Sequence, residues 1–128
     1  MSVEMKLLIW SAALAFIQML VAVAGATLQV GLPKLAGNRD DMPAIKGWAG
    51  RADRAFRNMM HGLLWFAVLV LAAQIAGKLD ATTTLGAQLF FWGRVAYAVV
   101  YLIGLPWIRT GAWAVSIVGL VMIFTRLV

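Results

Sequence analysis

Arg94 is the most unusual residue of this sequence, because it lies near the middle of an apolar stretch that covers residues 81–108. An arginine at the depth of a lipid bilayer is costly, so it usually faces the interior of a helix bundle or a water-filled cavity. Other polar residues occur in segments that could reach the same neighbourhood: Arg54, Asn58, His61, Tyr97, Tyr101 and Arg109. Cations combined with neutral hydrogen-bond donors predict a polar site between helices.

Helical spacing would bring these polar side chains onto one face of each of three helices. The polar residues form three groups: Arg51, Arg54, Asn58 and His61; Arg94, Tyr97 and Tyr101; and Arg109, Trp113 and Ser116. At about 100° per residue, the first group falls within an arc of about 80° of its helix and the second within about 60°. We therefore predict that three helices each turn one polar stripe inward, near the same end of the bundle.

The predicted cluster is cationic, since four arginines meet almost no carboxylate. Asp53 is placed on the far side of its helix from Asn58, where it would contact a neighbouring subunit or stay solvated. An excess of positive charge in a half-buried pocket favours an anionic ligand, because guanidinium groups bind carboxylates through paired hydrogen bonds. The tyrosine hydroxyls would add neutral donors.

These residues also have simpler interpretations. Arg51 and Arg57 are placed at the edge of a span, where arginine side chains commonly reach phospholipid headgroups. The tyrosines and Trp113 could be interfacial aromatic residues, and Asn58 could bond across helices. His61 is the only histidine, which excludes a two-histidine haem site within one subunit, and we predict no metal site. A neutral His61 that hydrogen-bonds a neighbour is its simplest role.

The composition indicates which elements would position such a site. Hydrophobic residues make up 63% of the 128 residues and charged residues 12%, whereas a soluble domain typically has about 25% charged residues. Residues 7–33 contain no Asp, Glu, Lys or Arg, and this stretch exceeds the roughly 20 residues that a helix needs to cross a bilayer. We predict an all-α integral membrane four-helix bundle, a single domain over residues 1–128 with spans at about 6–30, 54–77, 84–103 and 108–127.

The charged residues predict an orientation for this bundle. Basic residues are concentrated between positions 31 and 57, which places the connector 31–53 in the cytoplasm and both termini outside. The net charge of +6 is then explained by loops that flank membrane spans, so the predicted partner is the lipid bilayer and no nucleic acid. With no cysteine, the chain forms neither disulfides nor thiolate metal sites.

Two segments resemble the MAPEG family, the membrane-associated proteins in eicosanoid and glutathione metabolism. The signature of the family's second helix is similar to residues 51–73, RADRAFRNMMHGLLWFAVLVLAA, and its third and fourth helices are similar to residues 93–113, GRVAYAVVYLIGLPWIRTGAW. The connector sequence GNRDDMP resembles bacterial members, which implies the bacterial inner membrane. The resemblance implies four transmembrane helices per subunit, a homotrimer, glutathione as cofactor and a lipophilic small molecule as substrate.

The resemblance also implies roles for the residues of the cluster. Glutathione would bind near the cytoplasmic face, between helices of adjacent subunits. Arg109 stands where the family has an arginine thought to stabilise the glutathione thiolate, so it is the implied catalytic residue. The implied cofactor-binding residues are Arg54, Arg57, Asn58, His61, Arg94, Tyr97, Tyr101, Thr110 and Trp113.

The sequence departs from the family pattern at two positions, which leaves alternatives open. His61 stands where the family has a glutamate that can pair with the α-amino group of glutathione, and Gly31 stands where eukaryotic synthases often have an arginine. The first hypothesis is a glutathione-dependent transferase or peroxidase that acts on lipophilic electrophiles or lipid hydroperoxides. The second is a protein of the same fold that binds another anionic or lipid ligand or acts as a scaffold. A proton-coupled exporter is disfavoured, because such proteins generally need a carboxylate inside a membrane span. No Asp or Glu lies inside a predicted span, and Glu4 and Asp80 lie at span edges.

Overall fold

Five helices make up the chain, and four of them are long enough to cross a membrane. The computed structural model describes all 128 residues and contains no strand. The helices are α1 (Val3–Val30), α2 (Leu32–Ala36), α3 (Gly47–Ala76), α4 (Ala81–Ile103) and α5 (Pro106–Leu127). The four long helices have the length and apolar composition of membrane spans. This confirms the predicted all-α class and the number of spans.

The connector between α1 and α3 is shorter and more ordered than the sequence suggested. It contains the short helix α2, with Pro33 in its first turn, and α3 begins at Gly47 inside the predicted connector. The glycines of this segment indicated a loop, since glycine is a common turn former. In the structure Gly50 is buried, and a Cβ atom there would lie 2.6 Å from the carbonyl oxygen of Ile45. Gly50 therefore permits a close backbone contact and does not form a turn.

Polar residues define the beginning of α4. The Asp80 carboxylate accepts hydrogen bonds from the backbone N–H groups of Thr82 and Thr83, at 2.9 and 3.0 Å, and the Thr83 hydroxyl accepts the N–H of Asp80 at 2.8 Å. The N–H of Thr83 and the ion pair with Arg126 at 2.7 Å lower the pKa of the Asp80 carboxyl, while desolvation opposes them. The third span was predicted to begin near residue 84, whereas Thr82 and Thr83 already belong to the first turn of α4.

Glu4 lies at the edge of a span, as predicted, but its side chain is buried. The hydroxyl of Thr84 donates to the Glu4 carboxylate, and the hydroxyl of Thr83 lies 3.3 Å from the same oxygen. A buried carboxylate requires such donors, because it has lost its hydration. These contacts connect the N-terminal end of α1 to the first turn of α4.

Helices α3 and α4 form the centre of the bundle. Helix α1 packs against both on one side, α5 packs against both on the other, and α1 and α5 do not touch. The core between α3 and α4 contains the stacked rings of Phe66 and Phe90, with centroids 4.1 Å apart, and the fully buried Met59. The central pair of helices therefore separates two grooves, one facing α1 and the other facing α5.

Glycines allow α4 and α5 to approach closely. A Cβ atom at Gly86 would lie 2.7 Å from the carbonyl oxygen of Gly119, and one at Gly93 would lie 3.0 Å from the backbone nitrogen of Ser116. Contacts between small residues are typical of helix pairs in membranes, where backbone proximity replaces the hydrophobic effect as a source of attraction. The relative position of α4 and α5, on which the site below depends, is thereby fixed.

Candidate functional site

Arg94 lies in the bundle interior, as the sequence predicted. Its side chain is only 2% exposed, and the guanidinium carbon lies 4.4 Å from the centre of the Tyr97 ring. The Nε and Nη2 atoms have no hydrogen-bond partner. A Cβ atom at Gly62 would lie 3.8 Å from the guanidinium carbon, so a glycine of α3 makes room for this group. The charge is therefore enclosed by a ring face and a small residue, without a carboxylate.

Alternating cations and aromatic rings extend from Arg94 along α4. Tyr97 and Tyr101 meet edge to face, with ring centroids 5.5 Å apart. The guanidinium carbon of Arg109 lies 4.4 Å from the centre of the Tyr101 ring, and Nε of Arg54 donates to the Tyr101 hydroxyl at 3.1 Å. Cations over ring faces are attracted by the ring quadrupole, more strongly where water is excluded. Three helices thus meet at Tyr101, because α3, α4 and α5 each contribute one of these side chains.

A small cavity of about 190 Å³ lies beside these side chains. Its lining residues are Asn58, Tyr97, Arg109, Thr110 and Trp113. All five were predicted from the sequence as site residues. Thr110 and Trp113 are exposed on the rim, and the Thr110 hydroxyl donates to the Pro106 carbonyl oxygen at 3.1 Å. The cavity is thus walled by α3, α4 and α5 and open where these two residues face outward.

The structure does not bring every predicted residue to this cavity. Arg57 forms an ion pair of 3.0 Å with Asp53 on the same helix, and the two side chains remain 73% and 42% exposed. Within one chain Asp53 therefore stays solvated, which is one of the two predicted alternatives. The His61 side chain is exposed. The stripe of α3 therefore does not turn fully inward within one chain, in contrast to the prediction. Helix α3 has its buried face, including Ala52, Ala55 and Met59, on the side of α1 and α4, which leaves this part of the stripe outside.

Arg51 has a structural contact that differs from the headgroup interpretation. Its Nε atom donates to the Leu102 carbonyl oxygen at 3.1 Å, next to Gly104, where φ is 94°. A helix leaves its last carbonyl groups without intrahelical donors, and a cation near them also complements the helix dipole. Arg51 therefore caps the C-terminus of α4 and holds Tyr101 of the last turn in place.

A second and larger cavity, of about 630 Å³, lies between α1, the connector and α3 and was not predicted from the sequence. Arg39, Arg54 and Arg57 contribute to its wall, opposite apolar residues of α1. Arg54 is thus shared, since it lines this cavity and also bonds Tyr101. The basic residues of the connector were the only feature of the sequence that pointed to this cavity. The path of the connector against α1 and α3 could not be derived from composition.

The electrostatics of the site favour an anion. Arg54, Arg94 and Arg109 surround the two tyrosines, and no Asp or Glu lines the cavity beside them. Asn58 is the only amide in the lining, and it offers both a donor and an acceptor. Guanidinium and phenol donors of this kind stabilise carboxylates or other anionic groups. The arrangement can bind a small acidic ligand and stabilise negative charge near Tyr101.

The fold and the site together define an integral membrane protein with four spans and a cationic, aromatic-lined cavity at one end of the bundle. The chain belongs to the MAPEG family, whose family model matches residues 7–128. The resemblance seen in the sequence is therefore confirmed over nearly the whole chain. No curated protein and no solved structure matches the chain significantly.

Proposed function

We propose that this protein is a membrane-embedded glutathione-dependent transferase or peroxidase that acts on lipophilic electrophiles or lipid hydroperoxides. The observation that carries the proposal is the convergence of Arg54 and Arg109 on Tyr101, beside a cavity that contains no carboxylate. Family membership supports a protein of this kind, because the sequence resemblance implies the same residues for glutathione binding.

The donor set fits the chemistry of glutathione. Its carboxylates and thiolate suit guanidinium and phenol donors, and Asn58 offers a neutral partner for a peptide group. The cavity of one chain, about 190 Å³, is smaller than the roughly 300 Å³ at the lower end of ligand pockets. The remaining wall would come from an adjacent subunit, so the proposal includes assembly as a homotrimer with the site between subunits.

The chain's own residues would act on the sulfur. In the transferase reaction, the glutathione sulfur is the nucleophile and bonds to an electrophilic carbon, while the leaving group departs with the electron pair. In the peroxidase reaction, two glutathione molecules reduce a hydroperoxide to an alcohol and water and become the disulfide. Arg109 would hold the sulfur as its anion, because a guanidinium group lowers the free energy of a nearby thiolate. Tyr101 accepts a hydrogen bond from Arg54, so its own proton is free to be donated to the same anion.

We further propose that the connector 31–53 lies in the cytoplasm of a bacterial cell and that both termini lie outside the inner membrane. The basic residues of this segment support the orientation. Arg54, Tyr101 and Arg109 belong to the same end of the bundle as the connector. The site would thus open toward the compartment in which glutathione is abundant and reduced.

Arg109→Ala tests the proposal. The purified oligomer should lose about a hundred-fold in glutathione conjugation of chlorodinitrobenzene or in reduction of cumene hydroperoxide, since one donor to developing charge has been removed. Arg126→Ala is the matched control, because Arg126 lies on the same helix but pairs with Asp80 at the opposite end. Full activity of a folded Arg109→Ala protein would refute the role of Arg109.

A second candidate is a MAPEG-fold protein without glutathione chemistry, which binds another anionic or lipid ligand or serves as a scaffold. His61 favours it, because within one chain the cavity has no carboxylate for the α-amino group of glutathione. Calorimetry with glutathione from micromolar to millimolar concentrations separates the candidates. Saturable binding supports the enzyme, and its absence from a folded oligomer supports the second candidate.

A further inference from the structure

The larger of the two cavities, of about 630 Å³, has an apolar wall on one side and a cationic wall on the other. Helix α1 provides the apolar wall with Met19, Ala22, Val23 and Ala26, which belong to the uncharged stretch 7–33. These residues cover about 10 Å along the helix at 1.5 Å per residue. The cavity volume lies within the range of roughly 300–1,000 Å³ that is typical of ligand pockets. One elongated apolar group therefore fits against α1.

Three arginines form the opposite wall. Arg39 comes from the connector, and Arg54 and Arg57 come from α3. Asp53 is the only acidic residue in the lining, and it pairs with Arg57 at 3.0 Å. With three guanidinium groups and one carboxylate, the lining carries two net positive charges. The cavity therefore attracts an anion.

Gly50 allows the guanidinium group of Arg54 to reach this wall. A Cβ atom at Gly50 would lie 3.3 Å from Nη1 of Arg54, and Gly50 itself lines the cavity. The Nε atom of the same arginine donates to Tyr101 at 3.1 Å. No residue lines both this cavity and the one beside Tyr101, so the two are separate sites that meet at Arg54.

The connector forms the third side of the cavity and is held in place by contacts with α1 and α3. The side-chain amide of Gln29 accepts the N–H of Lys46 at 2.9 Å and donates to the carbonyl oxygen of the same residue at 2.6 Å. The carbonyl oxygen of Ile45 packs against Gly50. Leu35 and Ile45 of this segment add apolar surface to the lining. The cavity is therefore enclosed by residues whose positions the fold determines.

A ligand for this cavity needs an apolar chain and one anionic group. Ten of the seventeen lining residues are hydrophobic, which disfavours a purely polar anion such as free phosphate. The arginines disfavour a neutral lipid, because a guanidinium group that loses its hydration needs an acceptor in return. The apolar wall is one helix wide, so it accommodates one alkyl chain better than the two chains of a phospholipid.

We propose that this cavity binds a long-chain fatty acid. Its carboxylate accepts hydrogen bonds from Arg39 and Arg54, because guanidinium groups bind carboxylates through paired hydrogen bonds. Its alkyl chain lies against the apolar wall of α1. The proposal is independent of glutathione chemistry, since it concerns binding in a cavity separate from the one beside Tyr101.

Photolabelling of the purified oligomer in phosphatidylcholine nanodiscs tests the proposal. The probes are palmitic acid with a diazirine in its chain and the matching primary amide, which has the same length but no charge. At an alkaline pH, where the acid is ionised, it should label peptides of the connector and of α1 around Val23. It should reach half-saturation at a concentration about ten- to hundred-fold lower than the amide, the range expected for hydrogen bonds between charged groups.

Variants isolate the contribution of the cationic wall. Arg39→Gln should reduce the preference for the acid by about three- to ten-fold, whereas Arg39→Lys, which keeps the charge, should retain most of it. Lys34→Gln is the matched control, because Lys34 has the same charge and lies in the same segment but does not line the cavity. This variant should keep the full preference.

Four outcomes would overturn the proposal. Equal half-saturation by the acid and the amide would indicate an ordinary acyl chain of the bilayer. Equal losses in Arg39→Gln and Lys34→Gln would indicate general attraction to a basic segment. Loss of acid labelling when phosphatidylglycerol is added would assign the cavity to an acidic phospholipid, and no labelling of these peptides by either probe would show that a second copy covers it. The comparison of acid with amide on the wild-type protein decides even if a variant fails to fold.

Discussion

Arg54 and Tyr101 lie 47 residues apart in the sequence, and Nε of the arginine donates to the phenolic oxygen at 3.1 Å. The bond directs the hydroxyl proton of Tyr101 away from Arg54, so this proton is available to another acceptor. Arg109 lies over the same ring at 4.4 Å. One neutral donor is therefore flanked by two cations from different helices, which is an arrangement suited to an anion.

The first prediction concerns this hydroxyl. Tyr101→Phe keeps the ring on which Arg109 lies but removes the donor. In the proposed enzyme, kcat/KM for glutathione should fall about ten- to hundred-fold, since a hydrogen bond to a charged group contributes about 1.5–3 kcal/mol. Steady-state kinetics of the purified oligomer provide the measurement. Arg54→Ala should lower kcat/KM by a smaller factor in the Tyr101→Phe background than in the wild type. An unchanged kcat/KM of Tyr101→Phe would contradict the proposed role of the Tyr101 hydroxyl.

The second prediction concerns His61, whose side chain is exposed. His61→Glu should lower the Kd of glutathione in calorimetry, because a carboxylate supplies a partner for the α-amino group that histidine cannot supply. His61→Gln is the control for size and polarity and should leave the Kd unchanged. Equal affinities for wild type, His61→Glu and His61→Gln would show that this position does not determine ligand choice.

The third prediction concerns the contact between α4 and α5. Gly119→Ala should lower the free energy of unfolding by about 1–3 kcal/mol, because a Cβ atom there would meet the backbone nitrogen of Phe90 at 2.8 Å. Gly111→Ala on the same helix is the control, since a Cβ atom there meets nothing within 4 Å, and alanine has the higher helix propensity. Thermal unfolding in detergent should separate the two variants, and equal melting temperatures would contradict the tight contact.

The fourth prediction concerns Asp80 and pH. The folded-state pKa of its carboxyl lies below the ordinary 3.8, mainly because the N–H of Thr83 donates to it. A depressed folded-state pKa adds stability that is present above pH 3.8 and is lost as the pH falls through the folded-state value. Asp80→Ala should therefore lower the melting temperature at neutral pH, and the difference from wild type should shrink toward strongly acidic pH. A difference between Asp80→Ala and wild type that stays constant as the pH falls would refute the assignment.

The spans could be predicted because their signals are local. An uncharged stretch such as residues 7–33 must be a buried or membrane-embedded helix, and Gly104 followed by Pro106 stops one helix and starts the next. The shared face of Arg94, Tyr97 and Tyr101 on α4 could also be predicted, because fixed spacing on one helix determines which side chains lie on the same face. These inferences require no knowledge of neighbouring helices.

The direction of the other stripes depends on contacts that spacing cannot supply. Arg57 and Asn58 are adjacent in the sequence, yet Arg57 pairs with Asp53 while Asn58 lines the cavity. Which of them points inward is decided by the position of α1 against α3, a contact between distant segments. The burial of Gln18 was not predicted, although Glu4, Ser11, Gln18 and Gly25 recur every seven residues and share the buried face of α1.

The pairing of Glu4 with threonines of α4 sets an order of events during biosynthesis. The two hydroxyls lie 79 and 80 residues further along the chain, so they emerge from the ribosome long after the carboxylate. Helix α1 therefore enters the bilayer with a polar end that is not yet satisfied within the protein. Helix α1 can reach its final position only after α4, the third span, has been synthesised. The nascent chain therefore reaches its mature packing only after most of its length has been translated.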